Sequence, residues 1–158
     1  MTMPAAGELA PDFELHDQDG KVHRLSDYHG KPLIIYFYPK DDTPGCTKEA
    51  CAFRDALSHY QKIDAQVLGV SPDTSASHKK FAVKYELPFT LLADTERAMS
   101  EAYGVWQEKN MYGKKSMGIV RSTFLIDAEG KIRKVFARVK VDGHSEQVLK
   151  ALGELSQA

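Results

Sequence analysis

The sequence has little of what would mark a specialised surface or compartment. Two cysteines in 158 residues are too few for the disulfide framework that staples small secreted domains. Net charge is almost absent. With 21 basic and 22 acidic residues the formal charge is −1, so there is no electrostatic case for nucleic acid or an anionic membrane as partner. No apolar run approaches the ~20 residues of a membrane-spanning helix. Met1-Thr2-Met3-Pro4-Ala5-Ala6-Gly7 has neither a basic start nor an apolar core, so no secretory signal is expected and a reducing, cytoplasmic location is the default. Repeats, low-complexity tracts and linkers are also missing. Together with the length, this predicts a single domain over residues 1–158. A hydrophobic content of 42% suffices for one globular core.

Against this plain background one stretch stands out. Leu33-Ile34-Ile35-Tyr36-Phe37-Tyr38 is apolar and aromatic without interruption, which predicts a strand buried on both faces. Pro39 ends it, because its ring removes a ladder donor. After a short polar loop, Thr43 and Pro44 read as the N-cap and first position of a helix. Ala50, Phe53, Leu57 and Tyr60 then recur at helical spacing. Cys46 therefore belongs to the first turn of a helix, at the carboxyl end of a central strand. The free N–H groups and positive dipole end there favour a thiolate over a thiol. This activation has a ceiling. An ordinary thiol is already about 3% ionised at neutral pH, so complete ionisation gains at most ~30-fold, and lower nucleophilicity takes some of that back. A fast enzyme needs a second group acting on the bond that breaks. The bland alternatives at this point are a buried inert cysteine, a Thr43 that only caps the helix, a spare Cys51 and a surface Arg121.

The remaining chain reads as alternating strands and helices. Asp12 to Leu15 and Lys21 to Leu25 predict a hairpin turning at Gly20, followed by a turn at Ser26 to Gly30. A second buried strand spans Gln66 to Ser71. Helices are predicted over Ser75 to Glu86 and Glu96 to Tyr103, with a short strand at Phe89 to Leu92 between them. Gln107 to Gly118 is polar and without period, and reads as a surface loop. Thr123 to Asp127 and Ile132 to Val139 predict another hairpin. From about His144 to Leu155, an amphipathic helix presents Val148, Leu149, Leu152 and Leu155 on one face. Such an order predicts an α/β fold with a mixed central sheet flanked by helices and an N-terminal β-hairpin.

The pattern Pro39-x-x-x-Thr43-x-x-Cys46 resembles the active-site signature of the peroxiredoxins, thiol peroxidases of thioredoxin-like fold. Cys51, five residues on, is similar to the spacing of their bacterioferritin-comigratory-protein, or Q-type, subgroup. Ala10-Pro11-Asp12-Phe13, Phe89-Thr90-Leu91-Leu92-Ala93-Asp94 and Arg121-Ser122-Thr123-Phe124-Leu125-Ile126-Asp127 extend the resemblance through nearly the whole chain. It implies that Cys46 is the peroxidatic nucleophile, attacking a hydroperoxide to give a sulfenic acid, and that Cys51 resolves it as an intramolecular disulfide. It implies that Pro39 shields the site, that the Gly45 and Cys46 N–H groups face the peroxide, and that Thr43 donates toward it. Arg121 would stabilise the charge that develops on the leaving oxygen. Thioredoxin, with glutaredoxin as the alternative, would reduce the disulfide. No cofactor or metal is implied, and a monomer is expected because the resolving thiol is local.

Other polar residues carry less. The six histidines show no metal-ligand spacing with either cysteine and read as surface residues. Glu49 fits either a polar network or the helix dipole. Trp106 and Tyr38 read as core or pocket wall. Two rival functions remain: a thioredoxin-like disulfide reductase, which would want Cys-x-x-Cys, and a non-catalytic thiol or holdase module. The spacing also sets a mechanical problem. Five residues of ideal helix leave the two Cα atoms about 8–9 Å apart, with side chains about 140° apart around the axis. A disulfide needs Cα atoms within about 7 Å. Either the helix starts after Cys46, or its first turns unravel on oxidation.

Overall fold

The computed structural model describes residues 3–156. Nine strands and four helices follow one another in it. They are β1 (Glu14–Asp17), β2 (Val22–Arg24), β3 (Leu33–Phe37), α1 (Pro44–Lys62), β4 (Gln66–Ser71), α2 (Ser75–Lys84), β5 (Thr90–Ala93), α3 (Ala98–Ala102), β6 (Trp106–Met111), β7 (Lys114–Ile119), β8 (Ser122–Ile126), β9 (Ile132–Phe136) and α4 (His144–Ser156). A 3-10 turn, Leu25–Tyr28, follows β2. The main sheet has seven strands in the order β2-β1-β5-β4-β3-β8-β9. β3, β4 and β5 are parallel to one another, and β8 pairs with β3 antiparallel. This is the mixed sheet the sequence predicts. The N-terminal hairpin forms its edge, β1 pairing with β5.

β3 lies at the centre because every one of its residues is buried. Its side chains alternate between the two faces, as period two requires. Ile34, Tyr36 and Tyr38 pack with Ala50, Phe53 and Tyr60 of α1, Phe81 of α2, and Val148 and Leu152 of α4. Leu33, Ile35 and Phe37 face the opposite way, with Leu25, Met99 of α3, Tyr103 and Phe124. Tyr36 stacks on Phe53 at 4.7 Å between ring centroids. Aromatic contacts of this kind add about 0.5–1.5 kcal/mol to simple burial and lock α1 against β3. The carboxyl end of β3 and the start of α1 are thereby held together, and that is where the site lies.

Two readings change. Gln107 to Gly118 is not a loop but a two-stranded hairpin, β6 on β7, apart from the main sheet. Tyr112 (φ 54°) and Gly113 (φ 79°) turn it, with the two left-handed residues of a tight hairpin turn. The histidines are not all on the surface: His78 and His144 are buried. Leu155, the last position of the α4 stripe, lies outside the described side chains.

Candidate active site

α1 begins where the sequence places it. Thr43 has extended dihedrals (φ −99°, ψ 155°), and Pro44 opens the helix. The bond from Thr47 N to Thr43 O, 2.8 Å, is the first of the helical series. Among the described residues the N–H groups of Gly45 and Cys46 have no acceptor, as expected of a first turn. Thr43 departs from expectation in one respect. Its side chain makes no cap bond to the helix; instead Oγ1 donates to the Lys40 carbonyl at 2.9 Å. The hydroxyl proton is thus committed to the backbone, and what Oγ1 offers outward is a pair of acceptor sites.

Cys46 is buried and Cys51 half-buried, both as free thiols. Both belong to the continuous helix α1, so of the two ways out of the spacing problem a late helix start is excluded. Pro39, half-buried, follows Tyr38, whose N–H still reaches the Val70 carbonyl at 3.0 Å.

Arg121 enters from the residue before β8. Its Nη2 donates to Cys46 Sγ at 3.2 Å, and its Nη1 to Glu49 Oε1 at 2.6 Å. Burial disfavours the Arg121 charge, but Glu49 and Cys46 more than offset it, and its pKa is raised. Gly45 admits the guanidinium: a Cβ there would stand 3.3 Å from Nη2. Glu49, left open by the sequence, is a member of this network. It is 1% exposed, and burial lifts its carboxyl to about 7 against the pull of Arg121. Its second oxygen, Oε2, and the Tyr36 hydroxyl are buried without a partner among the described residues. Burial first, then Glu49 and Cys46, raise the Tyr36 phenol well above its ordinary value, so it stays neutral beside them.

Lys109 was hidden in the supposed loop. An open groove beside Arg121 is lined by Gln107, Lys109, Asn110, Val120 and Arg138. The Lys109 stem lies across Gly118, where a Cβ would approach its Cδ to 3.2 Å. Burial lowers the Lys109 pKa, Arg121 adds to that, and Cys46 opposes it. Gly118, paired with Gln107 across the hairpin, is the trace this packing leaves in the sequence. A second hollow, lined by Pro32, Ile63, Ile126 and Leu152, lies at the other end of β3 and contains none of these groups.

A thiol in a helix first turn, touched by a half-buried arginine on a thioredoxin-like sheet, defines the class of thiol peroxidases. The AhpC/TSA family model matches residues 6–135, and the chain belongs to that family, the peroxiredoxins. It is 50% identical over 151 residues to Peroxiredoxin Bcp of Bacillus subtilis (strain 168), covering 96% of each. To Peroxiredoxin Bcp of Escherichia coli (strain K12) it is 46% identical over 149 residues, 94% of this chain and 96% of the other. Among solved structures, a cysteine-to-serine variant of Xanthomonas campestris peroxiredoxin Q superposes with TM-score 0.90 at 42% identity, covering 96% of this chain and 99% of that one. A Xanthomonas campestris bacterioferritin comigratory protein, studied for alkyl peroxide reduction, gives TM-score 0.89 at 42% identity over 94% and 98% of the two chains. The protein is a thiol-dependent peroxidase, with a peroxide as substrate and a reductant to recycle it. The reductase and holdase readings fall away. Among the described residues no helix is long and apolar enough to cross a membrane.

Proposed function

We propose that Cys46 is the peroxidatic residue and Cys51 the resolving one. The observation that carries this reading is the 3.2 Å contact between Arg121 Nη2 and Cys46 Sγ. In the first step the Cys46 thiolate attacks the terminal oxygen of ROOH. An S–O bond forms, O–O breaks, and RO⁻ leaves, to be protonated to ROH. The Gly45 and Cys46 N–H groups and the Arg121 guanidinium donate to the peroxide oxygens, and the donation strengthens as charge builds on the leaving oxygen. Thr43 Oγ1 accepts the O–H of the attacked oxygen, since its own O–H donates to the Lys40 carbonyl. Pro39 limits water. In the second step the Cys51 thiol displaces water from the Cys46 sulfenic acid and forms an intramolecular disulfide. Thioredoxin then takes up the oxidising equivalents.

Both cysteines lie on one helix of one chain, which supports action as a monomer and makes a partner thiol unnecessary. Supply of reduced thioredoxin favours a cytoplasmic site of action.

The test uses two variants. Cys46→Ser abolishes peroxide consumption. Cys51→Ser reduces about one equivalent of peroxide and then stalls as a sulfenic acid that dimedone-type reagents trap. Turnover of Cys51→Ser with thioredoxin at the wild-type rate would remove Cys51 from its role. Turnover with a glutaredoxin system but not with thioredoxin would reassign the reductant.

A further inference from the structure

Asp41 is buried between two exposed neighbours, Lys40 and Asp42, and the peroxide chemistry leaves it unused. It fastens the loop between β3 and α1. Its backbone N–H donates to Asp73 Oδ2 at 2.7 Å, and Asp73 is itself held by the Ser71 hydroxyl at 2.8 Å. Its carboxyl group accepts from Tyr38 O–H on Oδ1 at 2.5 Å and from Ser77 O–H on Oδ2 at 2.8 Å, and His78 Nδ1 lies 2.7 Å from Oδ2. His78 is 0% exposed. Its Nε2 lies 2.9 Å from the Leu92 carbonyl, an oxygen that only accepts, so Nε2 carries hydrogen. The Nδ1–Oδ2 contact then holds one further proton, and His78 bridges β5 to the loop.

The same atoms exclude another reading. Asp41, Asp73 and His78 bring ligand-type atoms within 4.8 Å of one another. The facing atoms, however, are already bonded to each other or to Tyr38, Ser71, Ser77 and Leu92. At 2.7 Å, Nδ1 and Oδ2 leave no space for a cation between them. The group is a closed hydrogen-bond network.

What the network holds is the stretch that carries Pro39 and Thr43. Asp42 stands in the left-handed region at φ 58°, a conformation that most side chains disfavour. Lys84 Nζ and the Tyr85 hydroxyl fix its carboxylate at 2.8 and 2.7 Å. Thr43, two residues past Asp41, closes back on Lys40. We propose that His78 is a positioning residue for peroxide reduction: through Asp41 it fixes the 39–43 loop, and with it Thr43, at the N-cap of the helix turn that carries Cys46. The proposal rests on the roles given above to Cys46 and Thr43. It separates the two chemical steps. The attack on peroxide needs Thr43 in place, whereas disulfide formation needs the first turn of α1 to leave its place. Loosening the loop slows the first step and spares the second.

Two amides test it. In His78→Asn the amide nitrogen stands near Nδ1, so it keeps the bond to Asp41 and loses Leu92. In His78→Gln it stands near Nε2, so it keeps Leu92 and loses Asp41. Rapid-quench mass spectrometry follows sulfenic acid formation at Cys46 and then disulfide formation, beside a thermal melt of each variant. His78→Gln slows the first step about tenfold or more, the equivalent of one lost buried hydrogen bond. His78→Asn stays within about threefold of wild type, and neither variant slows disulfide formation. Ser77→Ala removes one donor from the same carboxylate while favouring the helix. It slows the first step about two- to fivefold and decides the matter should the His78 variants not fold. Equal rates in wild type, His78→Gln and Ser77→Ala would overturn the proposal. So would slowing of both steps, or slowing of Asn and Gln alike in proportion to lost melting temperature. If wild-type oxidation did not occur at Cys46, the reading of the site itself would fall instead.

Discussion

Arg121 is divided between two side chains of one helix: Nη1 reaches Glu49 Oε1 at 2.6 Å and Nη2 reaches Cys46 Sγ at 3.2 Å. Cys46 and Glu49 are three residues apart, which places them on one face of α1. Glu49 orients the guanidinium, and the other edge of its fork lies against the thiol. Only a planar fork serves both at once. Arg121→Lys keeps the charge and loses this division. It slows the peroxide reaction at least about tenfold, since loss of one preorganised donor commonly costs more than that. Stopped-flow rates equal to wild type would remove Arg121 from the site.

Gly45 tests the same contact from the other side. Its φ is not positive, so an alanine introduces no backbone strain. Its Cβ would lie 3.3 Å from Nη2, and the guanidinium must retreat by a few tenths of an ångström. Gly45→Ala slows the peroxide reaction by about three- to tenfold, a fraction of the ~100-fold that a full 1 Å misplacement can bring. The melting temperature changes little. An unchanged rate would show that Nη2 is not held where catalysis needs it.

Glu49 gives the fold a pH dependence. Burial raises its carboxyl from 4.5 to about 7, with Arg121 opposing. A carboxyl raised on folding binds its proton more tightly in the native state. Its contribution to stability is therefore complete below about 4.5, falls as pH rises to about 7, and is flat above. Across that window the loss is up to about 3 kcal/mol. Glu49→Gln removes this component, so the stability gap between wild type and variant narrows, or reverses, from pH 4.5 to 7. Urea denaturation of the reduced proteins at pH 5 and pH 8 measures it. A gap of the same size at both would contradict the assignment.

The sequence made the central elements legible for physical reasons. β3 is apolar at every position because both faces are covered, and Thr43-Pro44 marks the helix start through backbone preferences. The pairs across the fold were not legible. Glu49 lies 72 residues from Arg121, and His78 lies 37 from Asp41, distances that no local pattern spans. Some signal existed for the histidines. His78 stands three, four and seven places before Phe81, Ala82 and Tyr85, and His144 four, seven and eight before Val148, Ala151 and Leu152, so each begins a buried stripe. His144 uses that position to reach Thr123 Oγ1 at 2.8 Å. The β6–β7 hairpin escaped because most of it is exposed and does not join the main sheet. Without a buried face, no alternation of apolar and polar residues is imposed.

A continuous α1 through both cysteines has a mechanical consequence. With Cα atoms about 8–9 Å apart and diverging side chains, the helix cannot hold a Cys46–Cys51 bond. The proposed Cys46–Cys51 disulfide therefore requires the first turns to open, at about a few kcal/mol, which lies within ordinary local unfolding. Hydrogen exchange on the reduced and oxidised proteins reads this directly. Amides from Thr47 to Phe53 lose protection on oxidation, while those of β3 keep theirs. Equal protection in both states, with the bond confirmed, would show that the helix does not open.

The most direct test is the intact mass of the reduced protein after one equivalent of hydroperoxide, with peptide mapping of the product. The account predicts a monomer lighter by two hydrogens, with the bond between Cys46 and Cys51. An unchanged mass, or a disulfide-linked dimer as the main product, would contradict it.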